Sequence, residues 1–462
     1  MEEEEYELFE GDAPSEALES GSNSESEEEF EEYDPVNDRM GHVVAVWRDL
    51  TLVWGGFFDG QVSDDHETYD LTDMWDPSVV EVHQDGVWRS VKTRGQVPPE
   101  TCNPAAEVIG DGLFVACGNV KGEGVTNELY RLDLITWKWS KLEPTGTRPL
   151  KSRNLASWVS GGRMFIFGGV GEGKHPSLWY PQYLKIQDES FQDHVRSNQL
   201  VYYDSKDNSW NWPSPSGSIP SPRSEPAAFS VDGCYKDRDS DSERFRDLAF
   251  LFGGRDRRES FSELYILDIS SMRWDVLSGD GVDPMHWPTS RAFHSLTRIS
   301  SKAAVLVGGR HHSFYHGTFY IKSTARGLED CWRLNIEACI AQDKELIWTR
   351  CKHHEHICCT RQCKNRAISG WELHKAVQEP GSGRVWVIGG LRDNHKEGEY
   401  RSLWWADHIR ELGFDPPSLK VLAVECAAKH FDSLAPEIRS LPEKNAMRLA
   451  IEDKSKRKYV IS

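Results

Sequence analysis

Leu-Thr-Leu-Val-Trp-Gly-Gly, at residues 50–56, is the stretch of sequence that decides the fold. A short apolar run that stops at glycine is typical of a buried strand, and the glycine pair marks a sharp turn or a close backbone approach. The pattern occurs six times along the chain, once with a cysteine in place of the first glycine. The six pairs are Gly55–Gly56, Cys117–Gly118, Gly168–Gly169, Gly253–Gly254, Gly308–Gly309 and Gly389–Gly390.

Two other elements accompany the glycine pairs. A tryptophan follows each of several pairs after a turn, most clearly at Trp139, Trp210 and Trp274, and arginines precede other pairs, as at Arg223 and Arg291. Tryptophan buries a large area, so each is expected to fill the wedge between adjacent sheets. Because a single four-stranded sheet cannot bury both of its faces, repeated sheets should stack in a ring.

This order of elements resembles the kelch repeat. The resemblance covers residues 39–408 and implies an all-β fold, a six-bladed kelch β-propeller. After it, Pro417 precedes apolar residues at helical spacing, and a second helix is predicted to begin near Pro442. We therefore expect a short helical tail at residues 414–462.

The negative charge of the chain belongs to its first 38 residues. Of 74 acidic residues, 17 lie in residues 1–38, which contain no Lys or Arg, and the other 57 nearly balance 54 basic residues. A segment of this composition is expected to be disordered. Without a basic footprint we expect no nucleic-acid partner, and without a run of about 20 apolar residues we expect no membrane span. Scattered cysteines and the absence of a signal peptide favour the cytoplasm or the nucleus.

One cluster could carry metal chemistry. Cys and His residues crowd the stretch 351–363, but they include no Cys-x-x-Cys pair, so both a metal site and an ordinary loop stay open, and we predict no metal. No nucleophile elbow, phosphate loop or dinucleotide fingerprint is present. The sequence therefore predicts a non-catalytic binding protein without a cofactor.

Propellers bind ligands at the mouth of the central channel, where loops converge. Residues that directly follow the glycine pairs or precede the first strand of a blade should lie there. Arginine grips a planar carboxylate with two hydrogen bonds, so arginine beside phenylalanine would suit a peptide. The candidate peptide-binding residues are Arg255, Arg258, Arg291, Phe57, Phe293, Asn154 and Phe191.

A closer resemblance is to the kelch domain-containing substrate receptors of cullin-2 ubiquitin ligases. It rests on Phe-Gln-Asp-His-Val at 191–195, Pro-Ser-Pro-Arg-Ser-Glu at 220–225 and Pro-Ser-Leu-Lys-Val-Leu-Ala-Val-Glu-Cys at 417–426. Such receptors bind a peptide degron, in the best-understood cases a protein C-terminus ending in glycine. Arg255 matches the first carboxylate-binding arginine of that family, while Ser260 stands at the second and Asn154 at a lysine.

The resemblance of the tail implies partners for the other end of the chain. Leu419 and Ala423 match a helix that binds elongin B and elongin C, and Leu441 and Pro442 match a cullin box. An amphipathic helix that places such residues in an apolar groove is a common mode of recognition. The alternative is a kelch scaffold that brings proteins together without ubiquitin transfer, its tail only capping the ring.

Overall fold

The computed structural model describes most of the repeat region. The described residues are 39–58, 73–84, 87–172, 181–182, 184–189, 194–236, 245–316, 321–351, 355–356, 371–378, 384–393, 403–405 and 410–413. The predicted disordered segment 1–38 and the predicted helical tail 414–462 lie outside these residues. More than half of the described residues lie in strands and the helices are few and short, which confirms the all-β fold.

Six antiparallel sheets of four main strands form the six blades. Blade 1 has Val43–Trp47, Leu50–Trp54, Val79–Gln84 and Val87–Lys92. Blade 2 has Ala105–Ile109, Gly112–Ala116, Leu129–Asp133 and Lys138–Leu142, with Arg94–Gly95 added in parallel at its outer edge. Blade 3 has Ala156–Ser160, Arg163–Phe167, Leu200–Asp204 and Ser209–Asn211.

The second half of the ring follows the same plan with additions. Blade 4 has Ala227–Lys236, Phe245–Phe252, Leu264–Asp268 and Arg273–Leu277, with Ser216–Gly217 at its edge. Blade 5 has Ser295–Arg298, Ala303–Val307, Cys331–Asn335 and Trp348–Arg350, the last two separated by helices Ile336–Ala341 and Lys344–Ile347. Blade 6 has Lys375–Gln378, Arg384–Ile388 and Arg410–Gly413, and its outer strand, Glu355–His356, comes earlier in the chain.

Additional small sheets lie at the end of the ring where the glycine pairs lie. They are Phe57–Phe58 with Asp73–Met74; Thr101–Cys102, Asn119–Val120 and Gly124–Val125; Val170–Glu172, Ile186–Glu189 and His194–Ser197; Arg310–His316 with Ile321–Gly327; and Trp371–Glu372, Leu391–Asp393 and Leu403–Trp405. A single 3-10 turn, Pro284–His286, lies in the described connection between blades 4 and 5. No helix among the described residues is long and apolar enough to span a membrane.

The first strands of the blades contact one another around the ring. Each first strand contacts the first strands of its two neighbours, and the first strand of blade 6 contacts that of blade 1. At this junction the Gly390 N–H donates to the Arg39 carbonyl oxygen at 2.8 Å. Among the described residues, blade 1 takes its four strands from residues 43–92 and blade 6 takes its four from residues 355–413, so each of these two blades is built from one stretch of the chain. The strand Arg410–Gly413 extends the propeller past residue 408, its predicted end.

The apolar runs and tryptophans lie as their patterns predict. In blades 2 and 5 the second strand is buried along its whole length. Trp139 of blade 2 packs against Trp54 of blade 1, with 5.3 Å between ring centroids, and Trp274 of blade 4 packs against Phe167 of blade 3 at 5.7 Å. Each tryptophan therefore joins its blade to the preceding one, as a ring of sheets requires.

Three arginines hold the glycine pairs from the inside. Arg39, Arg223 and Arg291 each donate from Nη1 to the carbonyl oxygen of the first glycine in their own blade, at 3.3, 2.9 and 2.8 Å. All three side chains are buried. In each blade the guanidinium takes the place of water at a glycine carbonyl oxygen that accepts no hydrogen bond from a neighbouring strand. The recurring arginine before a glycine pair is thus a structural part of the repeat.

Gly146, in the link between blades 2 and 3, provides a test of the packing, and Gly122, in a turn within blade 2, provides its control. Gly146 has φ +82°, and a Cβ there would lie 2.2 Å from the Trp210 carbonyl oxygen. Gly122 has φ +73° but nothing within 4 Å of the same position. We expect Gly122→Ala to cost about 1–2 kcal/mol of unfolding free energy from the left-handed backbone alone, and Gly146→Ala to cost about 1–3 kcal/mol more from the clash.

Chemical denaturation of the two glycine variants measures this difference directly. Both substitutions add the same methyl group to a left-handed glycine, so Gly122→Ala is the matched control. Equal losses of stability in the two variants would contradict the close packing of each link against the tryptophan strand of the next blade.

Candidate functional site

Six lead segments, the four residues before the first strand of each blade, surround the channel at the end where the glycine pairs lie, which we call the mouth. The third residue of every segment has left-handed backbone, with φ between 53° and 61°. These six residues are Gly41, Asn103, Asn154, Glu225, Phe293 and Leu373.

Backbone hydrogen bonds link these third residues from blade to blade. Asn103 donates to Gly41 at 2.7 Å, Asn154 to Asn103 at 3.1 Å, and Glu225 to Asn154 at 2.9 Å. Farther around the ring, Leu373 donates to Phe293 at 3.2 Å. The six residues are therefore brought together at the mouth, where a ligand entering the channel would meet the Gly41 backbone and the side chains of the other five.

Blades 3, 4 and 5 bring their side chains into one polar cluster, which we call the mouth cluster: Asn154, Ser224, Glu225, Arg255 and Phe293. Asn154 Nδ2 donates to Glu225 Oε1 at 2.7 Å, and Arg255 Nε donates to Oε2 at 3.1 Å. Ser224 Oγ also donates to Oε2, at 2.5 Å. The Arg255 guanidinium carbon lies 5.1 Å from the centre of the Phe293 ring, within cation–π range.

The ionisation of Glu225 follows from these neighbours. Burial would raise the pKa of its carboxyl group. The positive charges of Arg255 and Arg196, with the Ser224 hydrogen bond, outweigh burial and leave the pKa below its ordinary value. Arg196, from the insertion of blade 3, donates from Nε to Ser224 Oγ at 2.8 Å, so a second arginine supports the carboxylate from behind. Glu225 is therefore ionised at neutral pH.

The predicted mouth residues separate into two groups. Arg255, Asn154 and Phe293 lie in the mouth cluster, and Asn154 and Phe293 remain partly exposed there. Arg258 lies on the exposed loop beyond Arg255, where its backbone N–H donates to Asp256. Phe57 follows its glycine pair as expected, but it is 2% exposed and packs in an apolar cluster with Met40, Met74, Cys102 and Leu391.

The interpretation of Arg291 as a ligand-binding residue is wrong. Its side chain is fully buried, and its guanidinium binds both carboxylate oxygens of Asp330, at 2.6 and 2.9 Å, as well as the Gly308 carbonyl. With the Gly308 carbonyl as one of its acceptors, Arg291 performs the structural role that it shares with Arg39 and Arg223. Phe191 lies outside the described residues.

Sequence reasoning missed Glu225, Ser224 and Arg196. Alignment of the lead segments could have found Glu225, since Arg-Ser-Glu-Pro at 223–226 corresponds to Arg-Ala-Phe-His at 291–294 and puts Glu225 in the place of Phe293. Arg196 gave no comparable signal. It reaches the site because His194–Ser197 pairs with Val170–Glu172, a contact within an insertion that no repeat predicts.

Below the mouth, the channel wall carries a second titratable group. The Glu107 carboxylate on the first strand of blade 2 accepts from Ser157 Oγ at 2.8 Å. Burial raises the pKa of Glu107 to about 7, although the Ser157 hydrogen bond and the charge of Lys375 on blade 6 oppose that rise. The carboxyl group therefore changes charge near neutral pH within the channel.

Glu107 predicts a pH dependence of stability. In the unfolded chain the carboxyl group loses its proton near pH 4.5, but in the folded protein it keeps the proton up to about pH 7. The folded state binds more protons in this range, so the free energy of unfolding falls as the pH rises from 4.5 to 7. The side chain of Glu107→Gln stays neutral at every pH. The melting temperature of Glu107→Gln minus that of wild type should therefore be larger at pH 8 than at pH 5. An equal difference at the two pH values in thermal melts would contradict the raised pKa.

The described residues supply no metal centre. Within the described ranges, no group of three or more His, Cys, Asp and Glu side chains is placed to hold an ion. Of the Cys/His-rich stretch, Cys351 is described and is a reduced thiol, whereas His353, Cys358 and Cys363 lie outside the described residues. The prediction for that stretch stays a prediction.

The chain is similar in sequence to known proteins. Residues 41–248 match the family model described as the KLHDC2/KLHL20/DRC7 Kelch-repeats domain. The chain is 25% identical over 425 residues to Kelch domain-containing protein 2 of Bos taurus, and 24% identical over 423 residues to Kelch domain-containing protein 1 of Mus musculus; each alignment covers 88% of both chains. It is 25% identical over 275 residues to Host cell factor 1 of Rattus norvegicus, covering 58% of this chain and 12% of that protein. These similarities support a β-propeller of the repeat class that mediates protein–protein interaction.

Proposed function

We propose that this six-bladed kelch-repeat propeller is the substrate-recognition subunit of a cullin-RING ubiquitin ligase. It binds a peptide degron at its mouth. The observation that carries the proposal is the mouth cluster, in which Asn154, Glu225, Arg255 and Phe293 from three blades meet around the channel. A cluster of hydrogen-bonding groups beside an aromatic ring suits an extended peptide, whose backbone needs donors and acceptors and whose side chains need apolar contact.

The other half of the proposal concerns the tail. Leu419, Ala423, Leu441 and Pro442 lie outside the described residues, and their assignment to elongin B, elongin C and a cullin depends on the resemblance of their sequence to the receptor family. In this arrangement the propeller holds the substrate, and other subunits transfer ubiquitin. The protein itself would be non-catalytic and would act in the cytoplasm, the nucleus or both.

A charge placed at the anchoring leucine tests the tail. Leu419→Asp should abolish co-purification of elongin B and elongin C from cells, because a carboxylate cannot be buried in an apolar pocket without a partner. Lys420→Asp, one position along, introduces the same group outside the matching positions and should retain both elongins. Mass spectrometry of the purified complexes gives the readout, and thermal melts establish that both variants keep the propeller folded.

The scaffold function is the alternative outcome of the same experiment. The chain has Asn445 where a cullin box has a hydrophobic residue, which is the feature that favours a propeller without ubiquitin transfer. If Leu419→Asp and the wild type bring down the same elongins, or if neither brings them down, the tail has no receptor role. The mouth would then bind partners for assembly only.

A further inference from the structure

Glu225 stands where a ligand carboxylate would be expected at the mouth. Its two oxygens accept from Asn154, Ser224 and Arg255, over distances of 2.5 to 3.1 Å. An amide, a hydroxyl and a guanidinium are the groups that commonly hold a bound carboxylate. The chain therefore supplies its own carboxylate to the arginine that most resembles a terminus-binding residue.

The Glu225 carboxylate offsets the positive charge of Arg255 at the mouth. Glu225 is 7% exposed and the Arg255 side chain 11% exposed, so solvent screens their interaction only weakly. A second carboxylate that approached Arg255 would meet a like charge and would have to compete for the same donors. An unfavourable group built against one ligand class is a common source of specificity.

The backbone at Glu225 indicates that this side chain is retained at a cost. Its φ is +54°, a conformation that Gly41, Asn103 and Asn154 adopt more easily at the equivalent positions of blades 1 to 3. Strained residues of this kind concentrate at functional sites, where the surrounding contacts hold them in place. The repeat imposes the same backbone on Phe293 and Leu373, so what distinguishes Glu225 is the set of hydrogen bonds that its carboxylate accepts.

We propose that Glu225 takes the place of a ligand carboxylate on Arg255, so that the mouth binds an internal peptide segment instead of a free C-terminus. This rests on the proposed function, in which the mouth binds a peptide, and it specifies the class of that peptide. An internal segment brings neutral N–H and C=O groups and no terminal charge. Such groups can use the partly exposed amide of Asn154 and the face of Phe293 without displacing Glu225.

One further cation has to be considered in the test. Arg153, in the lead segment of blade 3, is partly exposed beside Asn154. A terminal carboxylate that used Arg153 instead of Arg255 would produce a preference for a free C-terminus in spite of Glu225. The experiment therefore has to measure that preference directly.

Two synthetic decapeptide libraries of identical random composition serve as the probe, one ending in a free carboxylate and the other in a carboxamide. The full chain is immobilised as wild type, as Glu225→Gln and as Glu263→Gln, and retained peptides are counted by mass spectrometry. Glu263 lies in the same blade, 3.8 Å from Arg223, and so provides a matched removal of one carboxylate. Arg153→Ala is added to identify which cation any free carboxylate uses.

Wild type and Glu263→Gln should retain the two libraries equally. Glu225→Gln should retain the free-carboxylate library roughly tenfold better than the carboxamide library, since it releases a charge-assisted partner for a new carboxylate. A wild-type preference for the free-carboxylate library, with no gain in Glu225→Gln, would overturn the inference but keep the mouth as a peptide site. Failure of folded wild type to retain either library would overturn the proposed function, and this inference with it.

Discussion

Replacing Arg291 with methionine should lower the free energy of unfolding by about 3–5 kcal/mol, because it leaves the largely buried Asp330 carboxylate, 12% exposed, without its ion-pair partner. In the wild type the guanidinium binds both Asp330 oxygens, the Gly308 carbonyl and the Thr289 carbonyl. After the substitution Asp330 keeps only the hydrogen bond from Trp332, at 2.7 Å. Methionine fills much of the same volume, so the loss reports the polar contacts rather than a cavity.

Arg273→Met provides the matched control for Arg291→Met. Arg273 pairs with Asp275 at 3.6 Å, but both side chains are more than half exposed. Exposed ion pairs contribute at most about 1 kcal/mol, so this variant should unfold almost as wild type does. Chemical denaturation of both proteins measures the difference, and a loss below about 1 kcal/mol for Arg291→Met would mean that Arg291 is not the structural clamp described above.

Replacing Arg255 with alanine should reduce capture of substrate proteins at least tenfold, the largest effect expected on binding. Arg255 joins the two halves of the mouth cluster, since its Nε binds Glu225 and its guanidinium packs against Phe293. Without Arg255, the buried Glu225 carboxylate loses a charge-assisted hydrogen bond worth about 1.5–3 kcal/mol and Phe293 loses its packing partner, so the groups that a peptide contacts are no longer held in place. Quantitative mass spectrometry of co-purified proteins gives the change.

Two companions make the Arg255 result interpretable. Arg255→Lys keeps the positive charge beside buried Glu225 but loses the planar guanidinium, so the fold should be retained while binding falls. Arg273→Met, on an outer strand of the same blade, should leave capture unchanged. Undiminished capture by both Arg255 variants would place the binding surface elsewhere on the propeller.

The sequence predicts those parts of the fold whose residues lie close together in the chain. The apolar run before Gly55 and the tryptophan at Trp139 recur because every blade needs a buried second strand and a wedge residue, and so six blades could be counted in advance. The segment that forms the outer strand of blade 6 could not be predicted, since Glu355–His356 pairs with Arg410–Gly413, which lies more than fifty residues further along the chain.

The site was predicted only in part, for a related reason. Arg255 and Phe293 follow from their places relative to the glycine pairs and the lead segments. Arg291 was assigned to the mouth because a sequence does not show which way a side chain points, although its repetition at Arg39 and Arg223 was a sign of a structural role. Glu225 changes the chemistry of Arg255, and that pairing depends on two adjacent blades meeting at the mouth.

The central claim is that the mouth cluster contacts protein substrates, and photo-crosslinking in cells tests it most directly. The full chain would carry p-benzoylphenylalanine at one position, either Phe293→p-benzoylphenylalanine at the mouth or Ile135→p-benzoylphenylalanine at the opposite end of blade 2, where Ile135 is 60% exposed. The account predicts covalent adducts with captured proteins from position 293 and none of the same proteins from position 135. Adducts that form equally at both positions, or only at position 135, would contradict it.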